Sequence, residues 1–194
     1  NCAMNIHEVA YVVYFNLRMV KDFELTSPYE YMALNEWNLD NWAKLASSSR
    51  KSLNNPWYGT TFDTNSARLF FYGAGGRATT NDSLGYPQVT LFETDKASTL
   101  YEKCKSVFCS DGGWNIDALK DNEFAGYNDK NAYARKLFCQ DMFLFYYGGT
   151  DIIDSFAYME SEFGIVPFPK YNRNQEEYHS LYSPDCNLIA LPKN

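Results

Sequence analysis

The 194-residue chain has little basic charge. It carries 17 Lys and Arg against 24 Asp and Glu, for a formal net charge of −7. Proteins that bind phosphate backbones or anionic lipid surfaces need concentrated positive charge. The composition therefore argues against a nucleic-acid partner and against a membrane-surface role.

Long apolar runs are lacking as well. The longest, at 9–15 and 142–147, have the length of strands and fall far short of the roughly 20 residues that cross a bilayer. The start, Asn1-Cys2-Ala3-Met4, has neither the basic segment nor the apolar segment of a signal peptide. The chain stops directly after a strand-like run, so we expect a module cut from a larger protein.

Histidines and paired cysteines are scarce. There are 2 His and an odd number of Cys, 5, with no CxxC or CxxH spacing. Cys104 and Cys109 lie five apart on a predicted helix, so they face different sides of it and neither a disulfide nor a chelate is favoured. We predict free thiols, no metal site and no cofactor. No G-x-S-x-G motif marks a nucleophile, and in so acidic a chain neighbours such as Glu160 and Glu162 carry no specific glycosidase signal.

What the chain does contain is an alternation of strand and helix patterns. The apolar, β-branched and aromatic run at 10–15 predicts a buried strand, and Asn16 can cap a following helix. Asn38 can cap another helix, whereas 52–59 reads as a turn. Further helices are predicted at 65–72, 94–109, 129–139 and 151–159, and further strands at 88–91, 142–147, 164–168 and 187–191. This order predicts one α/β domain with a layered, mixed and mostly parallel sheet flanked by helices.

Two glycine-rich segments invite a ligand-binding interpretation. The first, at 71–76 (FYGAGG), lacks phosphate-loop spacing and reads as the end of a helix. The second, at 147–150 (YGGT), follows a strand and opens a predicted helix, whose free N–H groups could bind a ligand oxygen. A plain strand-to-helix turn explains it equally well.

Aromatic residues are abundant, with 16 Tyr, 14 Phe and 4 Trp. Rings at loop mouths beside Asp, Asn and Gly suit a sugar, which offers a flat apolar face and hydroxyl groups. Packing in the core remains the alternative for each ring. Seven aromatic residues lie beside turn residues: Trp37, Trp57, Tyr58, Trp114, Tyr127, Tyr146 and Tyr147.

Several segments together resemble one family. They are VVYFN at 12–16, EWNLDNW at 36–42, FYGAGGRATTND at 71–82 and, most specifically, EFGIVPFPKYNRNQEEY at 162–178. In this order they resemble bacterial extracellular solute-binding proteins of family 1, the maltose-binding-protein-like sugar receptors of ABC importers. The resemblance implies that 1–194 is a single lobe, the second, of a type II periplasmic-binding-protein fold. It further implies that 10–15 enters the lobe and 187–191 leaves it, as adjacent antiparallel strands.

The same resemblance implies the function. The lobe would help to capture an oligosaccharide or sugar derivative between two hinged lobes without chemistry, as a monomer that delivers it to ABC permease subunits. The protein would be an extracellular cell-surface lipoprotein of a bacterium, or periplasmic, and not an enzyme. The alternative is a fragment of a carbohydrate-active hydrolase with aromatic platforms and paired carboxylates. Where the family often has a calcium loop this chain has SLNN at 52–55, so no ion is expected there. By motif order, the ligand-binding residues would be Phe62, Asp63, Asn65, Tyr127, Asn128, Tyr147, Gly149 and Thr150.

Overall fold

The computed structural model describes residues 2–5, 9–50, 56–91, 95–182 and 188–191. The strands are β1 Cys2–Asn5, β2 Tyr11–Asn16, β3 Ser49–Arg50, β4 Trp57–Phe62, β5 Thr79–Asn81, β6 Pro87–Val89, β7 Gly113–Asn115, β8 Phe143–Gly149, β9 Phe163–Val166 and β10 Leu188–Leu191. The α-helices are α1 Leu17–Asp22, α2 Pro28–Ala33, α3 Leu39–Ala46, α4 Ser66–Gly73, α5 Asp95–Phe108 and α6 Lys130–Phe138. Two 3₁₀ helices, Ile116–Ala118 and Thr150–Phe156, complete the described elements.

Six strands form the main sheet, in the order β3-β4-β8-β2-β9, with β7 also paired to β4. Strand β4 is parallel to β7 and β8, whereas β2 is antiparallel to both β8 and β9, and β3 is antiparallel to β4. Strands β4, β7, β8 and β9 therefore run in one direction and β2 and β3 in the other. The predicted α/β class with a mixed, mostly parallel sheet is confirmed.

Strand β2 lies inside this sheet, between β8 and β9, and its residues are apolar on both faces. Val13 and Phe15 pack into the core on one side, with Phe145 and Val166, and Tyr14 packs into the core on the other side. A strand covered on both faces gains burial from every residue, which explains the continuous apolar run rather than an alternating one.

Side-chain caps start the helices that the sequence predicted. The Asn16 side chain accepts the amide of Met19 at the start of α1, and the Asn38 side chain caps α3 in the same way. The Ser27 hydroxyl accepts the amide of Tyr29 at the start of α2, and Pro28 is the first residue of that helix. Proline is well suited to this position because its missing N–H would have no helical partner there.

The predicted turn at 52–59 is wrong at its end. Trp57, Tyr58 and Gly59 belong to β4, which pairs with β8 and β7. Residues 52–55, which form the SLNN segment, lie outside the described residues. The turn-forming Asn and Pro just before β4 led to a turn prediction, although the aromatic and β-branched residues that follow them favour a strand.

The predicted pairing of the entering and leaving strands is also wrong in detail. Leu188–Leu191 pairs antiparallel with β1, which precedes the predicted entering strand, while β2 pairs with β8 and β9. Asn187 lies outside the described residues. An antiparallel bridge joins Ala10 to Tyr182, so the two segments still approach each other where β2 begins.

The described helices include none long and apolar enough to cross a membrane. Among the described side chains, Cys104, Cys109 and Cys139 are free thiols. Cys104 is buried, and this burial raises the pKa of its thiol to about 12. Cys186 lies outside the described residues.

Candidate ligand-binding site

A pocket of about 320 Å³ opens where β4 and β8 end. These two strands are parallel neighbours, so their carboxyl ends meet at one edge of the sheet. That edge is where open α/β sheets characteristically bind ligands. The lining residues are Tyr11, Thr61, Asp63, Asn65, Ser66, Arg68, Leu69, Ile116, Asp129, Asn131, Arg135, Tyr146, Tyr147, Gly148, Gly149, Asp151 and Ile152.

The first wall is the loop between β4 and α4. Oδ1 of Asp63 accepts the amide of Asn65 at 3.0 Å and the hydroxyl of Ser66 at 2.8 Å. The amide of Thr64 donates to Oδ2 of Asp117 at 2.7 Å, which ties the loop to the first 3₁₀ helix. These bonds hold the loop in place and leave the Asn65 side chain, which makes no cap bond, exposed at the pocket.

The second wall is α6. Oδ1 of Asp129 accepts the amide of Ala132 at 2.7 Å and so starts the helix. One turn further on, the Arg135 guanidinium lies close enough to the phenol of Tyr146 to lower its pKa. Tyr146 is only 2% exposed. Burial raises the pKa of Tyr146 to about 12, while Arg135 acts in the opposite direction and Asp63 and Asp129 add to the rise. The pocket thus brings carboxylates, a guanidinium and a neutral phenol close together.

The third wall is the turn after β8. A Cβ on Gly148 would lie 2.4 Å from Cδ1 of Ile152, and one on Gly149 would lie 2.2 Å from Oδ1 of Asp151. A larger residue at either position would therefore displace the side chain of Ile152 or Asp151, which folds back over the strand. The amide of Thr150 donates to the carbonyl of Ala10 at 2.9 Å, so this N–H is already used within the protein. The predicted helix here is a 3₁₀ helix, and the segment is a tightly packed strand-to-helix turn.

Four of the predicted site residues line the pocket: Asp63, Asn65, Tyr147 and Gly149. Thr150, the fifth, directly follows Gly149 in the chain and is not among the lining residues. Tyr147, however, directs its hydroxyl into the core, where it accepts the indole N–H of Trp42 at 3.0 Å and bonds to Thr60. The hydroxyl of Tyr147 is hydrogen-bonded inside the core, so Tyr147 borders the pocket with atoms other than this hydroxyl.

The other three predicted residues are not among those that line the pocket within the described part of the chain. Phe62 stacks on Phe108, with ring centroids 4.8 Å apart. Tyr127 is exposed and its ring lies 5.1 Å from that of Tyr133. Asn128 is exposed and immediately precedes Asp129.

Core packing accounts for most of the aromatic residues beside turns. Trp37 is fully buried and donates its indole N–H to the carbonyl of Pro167 at 2.8 Å. Trp57 stacks on Phe23 at 4.4 Å. Trp114 packs against Phe143 at 5.0 Å. Only Tyr146 among them brings its hydroxyl to the charged groups of the pocket.

Sequence reasoning missed several pocket residues. The missed residues with polar side chains are Tyr11, Thr61, Ser66, Arg68, Asp129, Asn131, Arg135, Tyr146 and Asp151. The signal for some of them was present, since Asp129 is a predicted helix start and Arg135 lies within that helix. For Tyr146, the alternation of side chains along β8 could have separated it from Tyr147, because neighbouring strand residues face opposite sides of the sheet.

This arrangement can hold a polar, uncharged ligand through hydrogen bonds. Carboxylate oxygens accept hydrogen bonds, whereas guanidinium and amide N–H groups donate them. Leu69, Ile116 and Ile152 supply an apolar surface beside these groups. The described residues contain no group of three or more His, Cys, Asp or Glu placed to hold a metal ion.

No protein-family model and no curated protein matches the sequence. Solved structures do match the fold. An ABC substrate-binding protein from Listeria monocytogenes in complex with cycloalternan has a TM-score of 0.59 at 12% identity, covering 87% of this chain and 39% of its own. A solute-binding protein from Thermotoga lettingae bound with α-D-tagatose has a TM-score of 0.58 at 15% identity, covering 96% and 44%. RafE from Streptococcus pneumoniae, in its apo form, has a TM-score of 0.57 at 15% identity, covering 93% and 43%.

This chain therefore has the fold of part of an ABC-transporter substrate-binding protein. It spans less than half the length of the solved structures that it matches. At 12–15% identity the likeness establishes the fold, and function must be argued from the pocket.

Proposed function

We propose that this chain is the sugar-binding second lobe of an ABC importer substrate-binding protein, and that 1–194 forms one such lobe. The observation that carries the proposal is the pocket at the carboxyl ends of β4 and β8, lined by Asp, Asn, Arg and Tyr side chains. The fold is shared with solved structures whose ligands are cycloalternan and tagatose.

The lining suits hydroxyl groups better than a fixed charge. Three carboxylates, from Asp63, Asp129 and Asp151, face two guanidinium groups, from Arg68 and Arg135. Groups of both signs offer acceptors and donors at once, as the adjacent hydroxyl groups of a sugar require. A phosphate would meet repulsion from the carboxylates.

Binding by this chain alone should be weak. A substrate-binding protein gains affinity by closing two lobes over its ligand, which excludes water and adds contacts from the second wall. With one wall the contacts fall by about half, while the entropic cost of capture is still incurred. A loss of about 4 kcal/mol moves a micromolar site to the millimolar range.

The wider role follows from the same proposal. The complete protein would act as a monomer outside the cytoplasmic membrane, as a surface lipoprotein or in the periplasm, and would pass its sugar to ABC permease subunits. It would carry out no reaction. The solved structures with this fold are described as binding proteins, so the hydrolase alternative finds no support among them.

Amide chemical-shift titration of the 194-residue chain with raffinose, mannobiose and tagatose tests the proposal. We expect millimolar binding of at least one sugar, with the largest shifts in the amides of the β4–α4 loop and of 148–151. Asn65→Ala should weaken this binding about 2–10-fold, the scale of one hydrogen bond. Asn174→Ala, an exposed Asn outside the pocket, is the matched control. Shifts that cluster elsewhere, or an equal effect of both variants, would refute the site.

A further inference from the structure

A second surface of the chain, away from the pocket, exposes acidic and large apolar side chains together. It is the segment from the end of the second 3₁₀ helix into β9, and we call Ile153, Asp154, Tyr158, Glu160 and Glu162 the acidic face. All five side chains are exposed, including 97% of Tyr158 and 42% of Ile153. None of them lines the sugar pocket.

The charge of this region has one sign. From 137 to 169 the sequence contains no Lys or Arg. Two described basic side chains lie near it. Arg18 follows Leu17 and pairs with Asp141 at 3.0 Å and Asp22 at 3.7 Å, and Lys136 lies close enough to Cys139 to lower the pKa of that thiol. Among the described residues no ion pair involves Asp154, Glu160 or Glu162, so the acidic face carries a net negative charge.

A shallow, open groove of about 530 Å³ runs beside the acidic face. It is lined by Leu17, Phe156, Ala157, Met159, Glu160, Ser161, Glu162 and Phe163. Phe156 and Phe163 are in ring contact, with centroids 5.3 Å apart, and Phe156 also packs against Phe138 in the core. The apolar wall of the groove is thus a rigid extension of the core, whereas Met159 adds an adaptable side chain.

Ser161 lies in this groove with an unsatisfied hydroxyl. The residue is only 7% exposed, and its Oγ is buried without a hydrogen-bond partner in the described structure. Buried hydroxyl groups normally have a partner because leaving one unpaired costs free energy. Because this Oγ is covered, a bound segment would reach it only after a local side-chain movement.

From these observations we infer that the groove and the acidic face dock a cationic peptide segment of a partner protein, one that carries a large apolar side chain. The apolar side chain occupies the groove, Lys or Arg side chains face Asp154, Glu160 and Glu162, and Tyr158 covers the segment. An anionic lipid surface would be repelled, and so would a second copy of this chain presenting the same face. The inference stands independently of the proposed sugar binding, because the acidic face and the pocket have no residue in common.

A fluorescent synthetic peptide rich in Lys, with one Phe and one Leu, tests the inference by anisotropy and by amide shifts. We expect saturable binding that weakens as salt is added, with shifts at Ser161, Glu162 and Phe163. A peptide with Glu in place of each Lys, and one with Ser in place of Phe and Leu, should bind at least about fivefold more weakly.

Variants of the chain complete the test. Tyr158→Ser should weaken binding by about fivefold or more, the scale of losing an interface aromatic. The matched control is Tyr86→Ser, because Tyr86 is 64% exposed on the β5–β6 hairpin. The inference is overturned if no binding is seen at millimolar peptide, if both variants lose affinity equally, or if the shifts fall elsewhere. Because the sugar titration reports on 63–66 and the peptide on 161–163, either proposal can fail without the other.

Discussion

Replacing Tyr147 by Phe tests whether this residue serves the core or the ligand. Its hydroxyl accepts the indole N–H of Trp42 at 3.0 Å and bonds to Thr60, and all three side chains are buried. Removing the oxygen leaves the indole N–H of a fully buried Trp42 without a partner. Thr60 keeps one bond, to the carbonyl of Thr61 at 3.0 Å. One orphaned buried donor costs about 1–3 kcal/mol, so we expect Tyr147→Phe to lower the free energy of unfolding by about 2 kcal/mol.

Urea unfolding followed by tryptophan fluorescence measures this loss, and Trp42 is itself a reporter. Tyr146→Phe is the matched comparison, because Tyr146 is the next residue of the same strand and directs its hydroxyl to Arg135 at the pocket. We expect Tyr146→Phe to weaken sugar binding more than Tyr147→Phe does. The reasoning is refuted if Tyr147→Phe leaves stability unchanged, or if it weakens sugar binding as much as its neighbour.

Three further changes have defined outcomes. Gly149→Ala should lower the melting temperature and displace the turn after β8, because the new Cβ would lie 2.2 Å from Oδ1 of Asp151; unchanged stability would contradict this. Lys170→Met should lower the free energy of unfolding, measured in urea, by about 1–3 kcal/mol, because buried Lys170 donates to Oδ1 of Asn35 at 2.6 Å. A decrease of less than roughly 0.5 kcal/mol would contradict this expectation. Raising the pH from 9 towards 12 should steadily reduce stability, because the Cys104 thiol has a pKa of about 12 when folded and ionises earlier when unfolded. Cys104→Ala should make that decline shallower by up to about 1.4 kcal/mol per pH unit, and an unchanged slope would contradict the assignment.

The elements with strong local signals were predictable from the sequence. The run that forms β2 is apolar throughout, and Asn16 and Asn38 cap helices as expected. Strand β4 was missed because Asn and Pro precede it, and its aromatic and Thr residues acquire a strand conformation only by pairing with β8. Strand pairing joins residues far apart in sequence, and local patterns do not report it.

The pocket shows the same division. Motif order predicted Asp63, Asn65 and Gly149, and all three line the pocket. Alternation along β8 places Tyr146 and Tyr147 on opposite faces of the sheet, but motif order does not say which face meets the pocket, because that depends on register. Nor could it identify Arg135, because its role depends on a contact with a tyrosine on another element.

The position of β2 between β8 and β9 has a consequence for how the chain folds during synthesis. Strand β2 is made early, yet its two partners, β8 and β9, come from the last third of the chain, and the hydroxyl of Tyr14 donates to the carbonyl of Gly149 across 135 residues. Until β8 leaves the ribosome, this largely apolar strand has no partner on either edge. Sheets built from such distant pairs fold slowly and expose aggregation-prone strands meanwhile. The nascent chain should therefore depend on a chaperone that recognises extended apolar segments, and truncation before 143 should leave β2 available for misassembly.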